Sequence, residues 1–260
     1  IKHFTASTFL LQPFFPSADY FFSFNSPSWS LGCEQLFYFC FPLIVPFLHT
    51  KRSLFITLLI CLPIMLAGMY LTNEEQIKAY WYVNPFTRLP DFFVGVLLYQ
   101  FYRSLCNKKL FYSTGTLLEA GAVALFLLFF LCAADIPKVY RYSCYYWLPV
   151  SLIILIFALQ QGGISRLLSN RFLIIGGEIS YSFYLIHLFI IDAYMRMSAH
   201  YHWQIQWTIS VPVILCITII LSLLSFYYFE KPANKWVKRI FTKKTIINQP
   251  HGIINKNTTN

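Results

Sequence analysis

Apolar stretches long enough to cross a bilayer alternate with short polar connections along this chain of 260 residues. A helix needs roughly 17 to 25 mainly apolar residues to span the hydrocarbon core of a membrane. Seven stretches approach or reach this length, and the fifth is the shortest. They cover residues 29–48, 54–71, 85–102, 117–134, 146–160, 172–192 and 205–229. The pattern predicts an all-α fold, a polytopic bundle of membrane helices joined by short connections.

The composition favours a membrane protein over a soluble one. Hydrophobic residues make up 57% of the chain and charged residues only 12%, and the mean hydropathy is +0.56. A soluble domain has too little interior to bury that much apolar surface, whereas a bilayer solvates it. The scattered cysteines lack the spacing of metal ligands or a redox pair, and His200 and His202 lack a third ligand, so no metal site is predicted.

Basic residues are concentrated in every second connection. By the positive-inside rule these connections face the cytoplasm, so residue 1 lies outside and the C-terminus inside. The net charge of +10 therefore indicates the inner leaflet rather than nucleic acid. The basic residues that carry this argument are Lys51, Arg52, Arg103, Lys108, Lys109, Arg166, Arg171, Lys235, Lys238, Arg239, Lys243 and Lys244.

This topology predicts a multi-pass protein of the cytoplasmic membrane in three parts. Residues 1–26 form an outer-face loop or the remnant of a further span, and residues 27–236 form the transmembrane domain. Residues 237–260 form a cytoplasmic basic and polar tail, which we expect to be disordered after Lys243.

Ionisable residues inside the apolar stretches are the candidate site, since a charge in lipid is unfavourable unless it faces a protein interior or water. Glu34 lies in the first stretch, five positions after Trp29, which places it in the outer half of the membrane. Ser30, Glu34 and Tyr38 recur every four residues and so share one helix face. We interpret this face as a polar stripe on a lipophilic helix.

The third stretch places Arg88, Asp91 and Gly95 at spacings of three and four. Arg88 and Asp91 are expected to pair along one face, and Gly95 to let another helix approach closely. The alternative is an arginine that reaches the interface, with Asp91 as its local counter-ion.

The sixth stretch places Ser180, Tyr184 and His187 on one face, with His187 again in the outer half. A histidine in an apolar helix is often only a packing residue, but its depth matches that of Glu34 and Arg88. We therefore predict that Glu34, Arg88 and His187 line one polar cavity. Other carboxylates fall near cytoplasmic ends of their stretches and are expected to be ion-pair or capping groups; they are Glu119, Glu178 and Glu230.

Four blocks between residues 27 and 236 carry a family resemblance: PSWSLGCEQLFYFCFPL, NPFTRLPDFFVGVLL, GEISYSFYLIHLFII and YYFEKPANKW. In order and spacing they resemble the blocks of the membrane acyltransferase type 3 family, which are WSL-x-x-E-x-x-FY, NP-x-x-R-x-x-x-F-x-x-G, SY-x-x-YL-x-H and E-x-P. The first block departs from the usual pattern at Gly32, Cys33 and Leu36 but retains Glu34.

The resemblance implies a bundle of about ten helices that takes an acyl group, usually acetyl, from cytoplasmic acyl-CoA to a hydroxyl of an exported or lipid-linked glycan. It implies acyl-CoA as a co-substrate and no bound cofactor. The family's histidine base would lie upstream of Ile1, so the chain is expected to be a fragment. Glu34 would then orient that base or the acceptor, Arg88 would offset negative charge or hold Asp91, and His187 would donate a hydrogen bond. Substrate contacts are expected from Ser30, Tyr38, Asp91, Ser180 and Tyr184.

Two other interpretations remain open at this point. Buried charges also mark the pathways of transporters, so a flippase for a glycan or acyl substrate is an alternative. The paired, broken helices and repeats that transporters often contain are not visible in this sequence. The chain would also be explained as an inactive truncated acyltransferase.

Overall fold

The structure of the chain, a computed structural model, describes residues 2–47, 50–202 and 206–247, with side chains as far as residue 241. The described residues form helices and turns, with no β-strand among them. They divide into two compact units, Ile1–Ile174 and Ile175–Asn260.

The first unit contains most of the helices. Their bounds are α1 (Lys2–Thr8), α2 (Ala18–Phe21), α3 (Trp29–Ile44), α4 (Lys51–Leu71), α5 (Pro85–Leu105), α6 (Tyr112–Cys132), α7 (Lys138–Arg141), α8 (Trp147–Leu159) and α9 (Gly163–Leu168). The chain then continues into α10 (Arg171–Tyr201), most of which belongs to the second unit together with α11 (Trp207–Ser225) and α12 (Lys231–Ile247). Two π-helical segments, Lys78–Val83 and Phe226–Glu230, lead into α5 and α12.

The all-α membrane class is confirmed. Each of the seven predicted stretches overlaps one helix, and these helices are α3, α4, α5, α6, α8, α10 and α11. Among the described residues, four helical segments are long and apolar enough to cross a membrane, and α8 is a shorter apolar helix. The four are Lys51–Leu71, Tyr112–Asp135, Arg171–Tyr201 and Trp207–Phe241.

The two ends of the chain are more helical than predicted. Before α3, where a loop or span remnant was expected, the 3-10 turns Gln12–Phe14 and Ser26–Ser28 pack against α3, and α1 and α2 contact the first of these turns. Gly32 allows this contact, because a Cβ there would overlap the Leu10 carbonyl and the Pro13 ring. At the other end α12 continues to Ile247, so the expected disorder after Lys243 is wrong as far as that residue. The rest of the predicted tail lies outside the described residues.

A small core joins α4 to the connection before α5 and to α7. Met65 and Met69 of α4 pack against Ile77, Trp81 and Val139. The Trp81 indole N–H donates to Thr72 Oγ1 at 2.9 Å, which satisfies its polar edge. Apolar side chains on the outer faces of the long helices are exposed instead, as expected of surfaces that meet lipid.

Glu119 anchors the short helix α9 to α6. Its side chain is buried, with 1% of its surface exposed. Oε1 accepts the N–H of Gly162 at 3.0 Å, and Oε2 accepts those of Ile164 and Ser165 at 2.8 and 3.1 Å. These are orphan donors at the start of α9, where a negative charge is favourable. The capping role expected of Glu119 is confirmed, with backbone amides as its partners.

In the second unit, hydroxyl groups connect α10 to the helices that follow it. Ser182 Oγ donates to Glu230 Oε2 at 3.0 Å and lies 3.4 Å from Ser225 Oγ. Further along α10, the Tyr194 hydroxyl contacts Ser210 Oγ at 2.5 Å. The hydrogen-bonding partner of Glu230 is therefore a serine of α10 rather than a helix end or a basic residue.

Replacing Glu119 with glutamine should destabilise the first unit. Glutamine offers one acceptor oxygen and turns an NH₂ group toward amide donors, so the expected loss is about 2 to 3 kcal/mol. The measurement is thermal unfolding of the detergent-purified full-length protein. Glu178→Gln is the matched control, since Glu178 is exposed on α10. Equal melting temperatures for Glu119→Gln and the parent protein would contradict the capping role.

Candidate active site

The Arg88–Asp91 ion pair lies in the first two turns of α5. The N-terminus of that helix is capped, because Asn84 Oδ1 accepts the Phe86 N–H at 2.9 Å and Pro85 occupies the first helical position. Arg88 Nη1 then lies 2.9 Å from Asp91 Oδ2, as the spacing of three predicts. The predicted pairing is confirmed.

Arg88 is held by the protein on two further sides. Its Nε donates to the Tyr82 carbonyl at 3.0 Å, and its guanidinium lies over the Tyr82 ring at 5.5 Å from the centroid. Only 18% of its side-chain surface is exposed. An arginine that reaches for the interface would extend into solvent, so this geometry favours a fixed positive charge inside the protein.

Trp147 connects this pair to α8. As the first residue of α8, it donates its indole N–H to Asp91 Oδ1 at 2.5 Å. Both oxygens of Asp91 therefore accept hydrogen bonds, one from each helix. Sequence reasoning missed Trp147, because a tryptophan at the start of an apolar stretch is usually an interfacial anchor.

A cleft of about 280 Å³ opens beside the pair, between α5 and α8. Its polar lining comes from Arg88, Asp91, Ser143 and Ser151, and the rest is mainly apolar. Gly95 also lines it, and a Cβ at Gly95 would meet no atom within 4 Å. The expectation that Gly95 permits close helix packing is therefore wrong: its missing side chain leaves space beside α5.

Glu34 is not among the residues that line the cleft beside Arg88. It is exposed on α3, whereas its neighbour Cys33 is buried with its thiol 3.3 Å from the Val83 carbonyl. Glu34 forms no hydrogen bond or ion pair with the residues described in its unit. Tyr38, one turn further on, is 71% exposed, and Ser30 donates locally to the Pro27 carbonyl at 3.1 Å. The stripe does not line the cleft beside Arg88.

His187 lies in the second unit, on α10. Its Nδ1 is 2.8 Å from the Tyr184 carbonyl, and its ring is parallel to that of Phe183. A carbonyl only accepts hydrogen bonds, so Nδ1 carries a proton and donates to Tyr184. The hydrogen bond that His187 was expected to donate to the substrate stays a prediction. Ser180, on the same face, donates to the Gly177 carbonyl at 2.7 Å.

Glu34 and Arg88 belong to one unit and His187 to the other. A single cavity shared by all three stays a prediction. Within residues 2–47, 50–202 and 206–247, no group of three metal-ligating side chains occurs.

Comparison with known proteins identifies the family. The acyltransferase 3 family model, which describes an acyltransferase domain, matches residues 1–227. The chain belongs to this family. No solved structure matches it significantly.

This family member is similar to two acyltransferases from bacteria. The O-acetyltransferase OatA of Staphylococcus aureus (strain NCTC 8325 / PS 47) is 28% identical over 221 residues, covering 80% of this chain and 36% of OatA. The acyltransferase MdmB of Streptomyces mycarofaciens is 26% identical over 220 residues, covering 76% of this chain and 54% of MdmB. The chain thus spans about a third of one relative and about half of the other.

Substituting Trp147 with phenylalanine tests the connection between α5 and α8. Phenylalanine keeps the ring but leaves Asp91 without one donor, so we expect a loss of about 1 to 3 kcal/mol in unfolding free energy. Thermal unfolding in detergent measures this. Trp236→Phe is the control, because Trp236 is 66% exposed and its loss should change stability by less than about 0.5 kcal/mol. Similar shifts in both variants would show that the Asp91 contact contributes little.

Proposed function

We propose that the full-length protein transfers an acyl group, normally acetyl, from acyl-CoA at the cytoplasmic face to a hydroxyl of an exported or lipid-linked glycan. The observation that carries the proposal is the family match over residues 1–227. The acetyl group and the oxygen acceptor are supported by the name of the relative OatA, an O-acetyltransferase. The glycan acceptor is the finer part of the proposal and follows from the family resemblance of the four blocks.

The chemistry of the reaction defines what the site must supply. The acceptor oxygen attacks the thioester carbon, a C–O bond forms, and the C–S bond breaks to release CoA thiolate. The hydroxyl proton passes to a base and then to the thiolate. An alcohol attacks at a useful rate only when a base removes this proton and hydrogen-bond donors or positive charge stabilise the oxyanion.

Arg88 is the proposed source of positive charge. Because Asp91 and the Tyr82 carbonyl hold its guanidinium in place, the charge needs no reorganisation when the oxyanion forms. Asp91 acts through Arg88 as a positioning residue and, with its second oxygen held by Trp147, presents a fixed acceptor to the cleft.

Glu34 and His187 are proposed to handle the acceptor. The exposed carboxylate of Glu34 is a hydrogen-bond acceptor for a sugar hydroxyl or for the catalytic base. The Nε2 atom of His187 accepts a hydrogen bond once Nδ1 donates to Tyr184. Further substrate contacts are proposed for Ser30 and Tyr38 beside Glu34, and for Ser180 and Tyr184 beside His187.

In the proposed orientation, the protein lies in the cytoplasmic membrane and its C-terminus is in the cytoplasm. The basic residues of α12, among them Lys235, Lys238 and Arg239, are exposed and follow directly on α11. Clusters of this kind are retained on the cytoplasmic side by the positive-inside rule. This supports an acyl-CoA donor arriving from the same side.

Replacing Glu34 with glutamine in the full-length protein should abolish glycan acetylation and leave membrane expression intact. The amide keeps the shape but loses the negative charge that orients a hydroxyl or an imidazole. The assay combines CoA release from acetyl-CoA with the mass increase of the glycan. Glu75→Gln, at an exposed glutamate before α5, is the control. Unchanged acetylation in Glu34→Gln would remove Glu34 from the mechanism.

Two substitutions at His187 distinguish the roles of its two ring nitrogens. Asparagine retains an N–H near the Tyr184 carbonyl but has nothing at the Nε2 position, so acetylation should fall by about 100-fold. Glutamine places an amide near the Nε2 position and should retain more activity than asparagine. The opposite ranking would mean that His187 serves only the packing of α10.

A further inference from the structure

A second cleft adjoins the one beside Arg88 and extends it along α5. It measures about 310 Å³ and shares the lining residues Gly95, Leu98 and Ile154 with the first. Together the two clefts follow α5 from Arg88 to Tyr102, a rise of roughly 21 Å at 1.5 Å per residue. Their combined size falls in the usual range for small-molecule sites, roughly 300 to 1,000 Å³.

The two ends of this continuous cleft differ in chemistry. Near Arg88 it is polar, whereas the far end is lined by apolar and aromatic side chains. The far-end residues are Leu98, Tyr99, Tyr102, Ile154, Leu155 and Ala158. Such a cleft fits an amphiphile, with a hydrogen-bonding head at one end and a hydrocarbon chain at the other.

The polar end contains a group that lacks a partner. Ser143 is 6% exposed, and its buried Oγ makes no hydrogen bond with any described residue. Buried hydroxyls are nearly always satisfied, by protein, water or ligand. Ser143 therefore offers an unused hydroxyl to a polar group of a ligand at this end of the cleft.

The charge at the polar end indicates what kind of head would bind. Arg88 and Asp91 form a closed ion pair, so their net charge is zero. A phosphate would meet the Asp91 carboxylate as well as the guanidinium, whereas sugar hydroxyls both donate and accept and suit a site with both kinds of group. An uncharged, hydroxyl-rich head matches better than an anionic one.

The cleft opens at its side. Three of its lining residues are substantially exposed: Tyr99 at 57%, Ile154 at 53% and Val150 at 38%. A side opening between apolar helices is entered from the lipid phase. A chain already in the bilayer can thus enter it without crossing water.

We propose that the cleft between α5 and α8 binds a neutral glycolipid, with one hydrocarbon chain along Gly95, Leu98 and Ile154 and sugar hydroxyls at Arg88, Asp91 and Ser143. This proposal deepens the proposed function, because it makes the acceptor a lipid-linked sugar with no charge where the sugar joins the lipid. The assignment of the glycolipid as acceptor rests on the proposed function, whereas its binding to the cleft does not.

Photolabelling of the full-length protein tests the binding directly. The probe is a monoglucosyl diacylglycerol with a diazirine in one acyl chain, incorporated in phosphatidylcholine vesicles. Labelled peptides should come from α5 and α8. Gly95→Leu places a side chain in the cleft and should lower this labelling about tenfold, which corresponds to a tenfold weaker affinity.

Gly121→Leu is the matched control, because Gly121 is exposed on α6 and a Cβ there also meets no atom within 4 Å. Its labelling should equal that of the parent protein. Size-exclusion profiles of both variants are compared with that of the parent protein as a check on folding.

Ser143→Ala provides a second test, because it leaves the space for the hydrocarbon chain open. Ser143→Ala should reduce labelling by the glucosyl probe several-fold and leave labelling by a phosphatidylglycerol probe unchanged.

Three results would overturn the proposal. The first is equal labelling of α5 and α8 in Gly95→Leu and the parent protein. The second is labelling by a diazirine phosphatidylglycerol that matches the glucosyl probe, which would remove the preference for a neutral head. The third is displacement of the probe by palmitoyl-CoA, which would assign the cleft to the acyl chain of the donor.

The proposed function and this inference can fail separately. Labelling requires no acyl transfer, so it would persist in a protein with no acetylation activity. If the full-length protein acetylates soluble sugars but the glycolipid probe does not label α5 and α8, the glycolipid site is overturned and the proposed function still stands.

Discussion

The carboxylate of Asp91 is the contact on which the arrangement of the first unit depends. It accepts from Arg88 on its own helix and from Trp147 on α8, and so it both neutralises a charge and joins two helices. In an apolar environment neither group would be stable alone. The cleft between α5 and α8 opens beside this contact, so the residues that join the two helices also form its polar end.

The same requirement explains the other acidic groups. Glu119 is buried with no basic residue as its hydrogen-bonding partner, and three backbone amides take that place. Glu230 accepts from Ser182 of α10. Glu34 differs from both, since it is exposed and has no partner among the described residues of its unit. A carboxylate that the fold leaves unused is available to a substrate, and this distinguishes Glu34 from the structural acids.

Sequence periodicity was sufficient for the helices and for contacts within one helix. The Arg88–Asp91 pair follows from a spacing of three, and the capping role of Glu119 from its place near a helix end. Contacts between helices could not be predicted in this way. Trp147 is 56 positions from Asp91, and nothing local indicates that its indole meets a carboxylate. Gly95 shows the same limit: whether a glycine faces a neighbouring helix or a void depends on where that neighbour lies.

In the proposed reaction, the shortness of α8 would affect the distance over which an acyl group is moved. Its 13 residues rise roughly 20 Å, whereas the hydrocarbon core of a bilayer is about 30 Å thick. Beyond its last turn the chain is polar: Gln161 bonds to the backbone of Lys108 and Leu110, and Glu119 binds the amides that follow. A membrane and a span that falls short adapt to each other by local thinning or by flanking polar residues that reach for the interface. Local thinning beside α8 would shorten the path between the two faces.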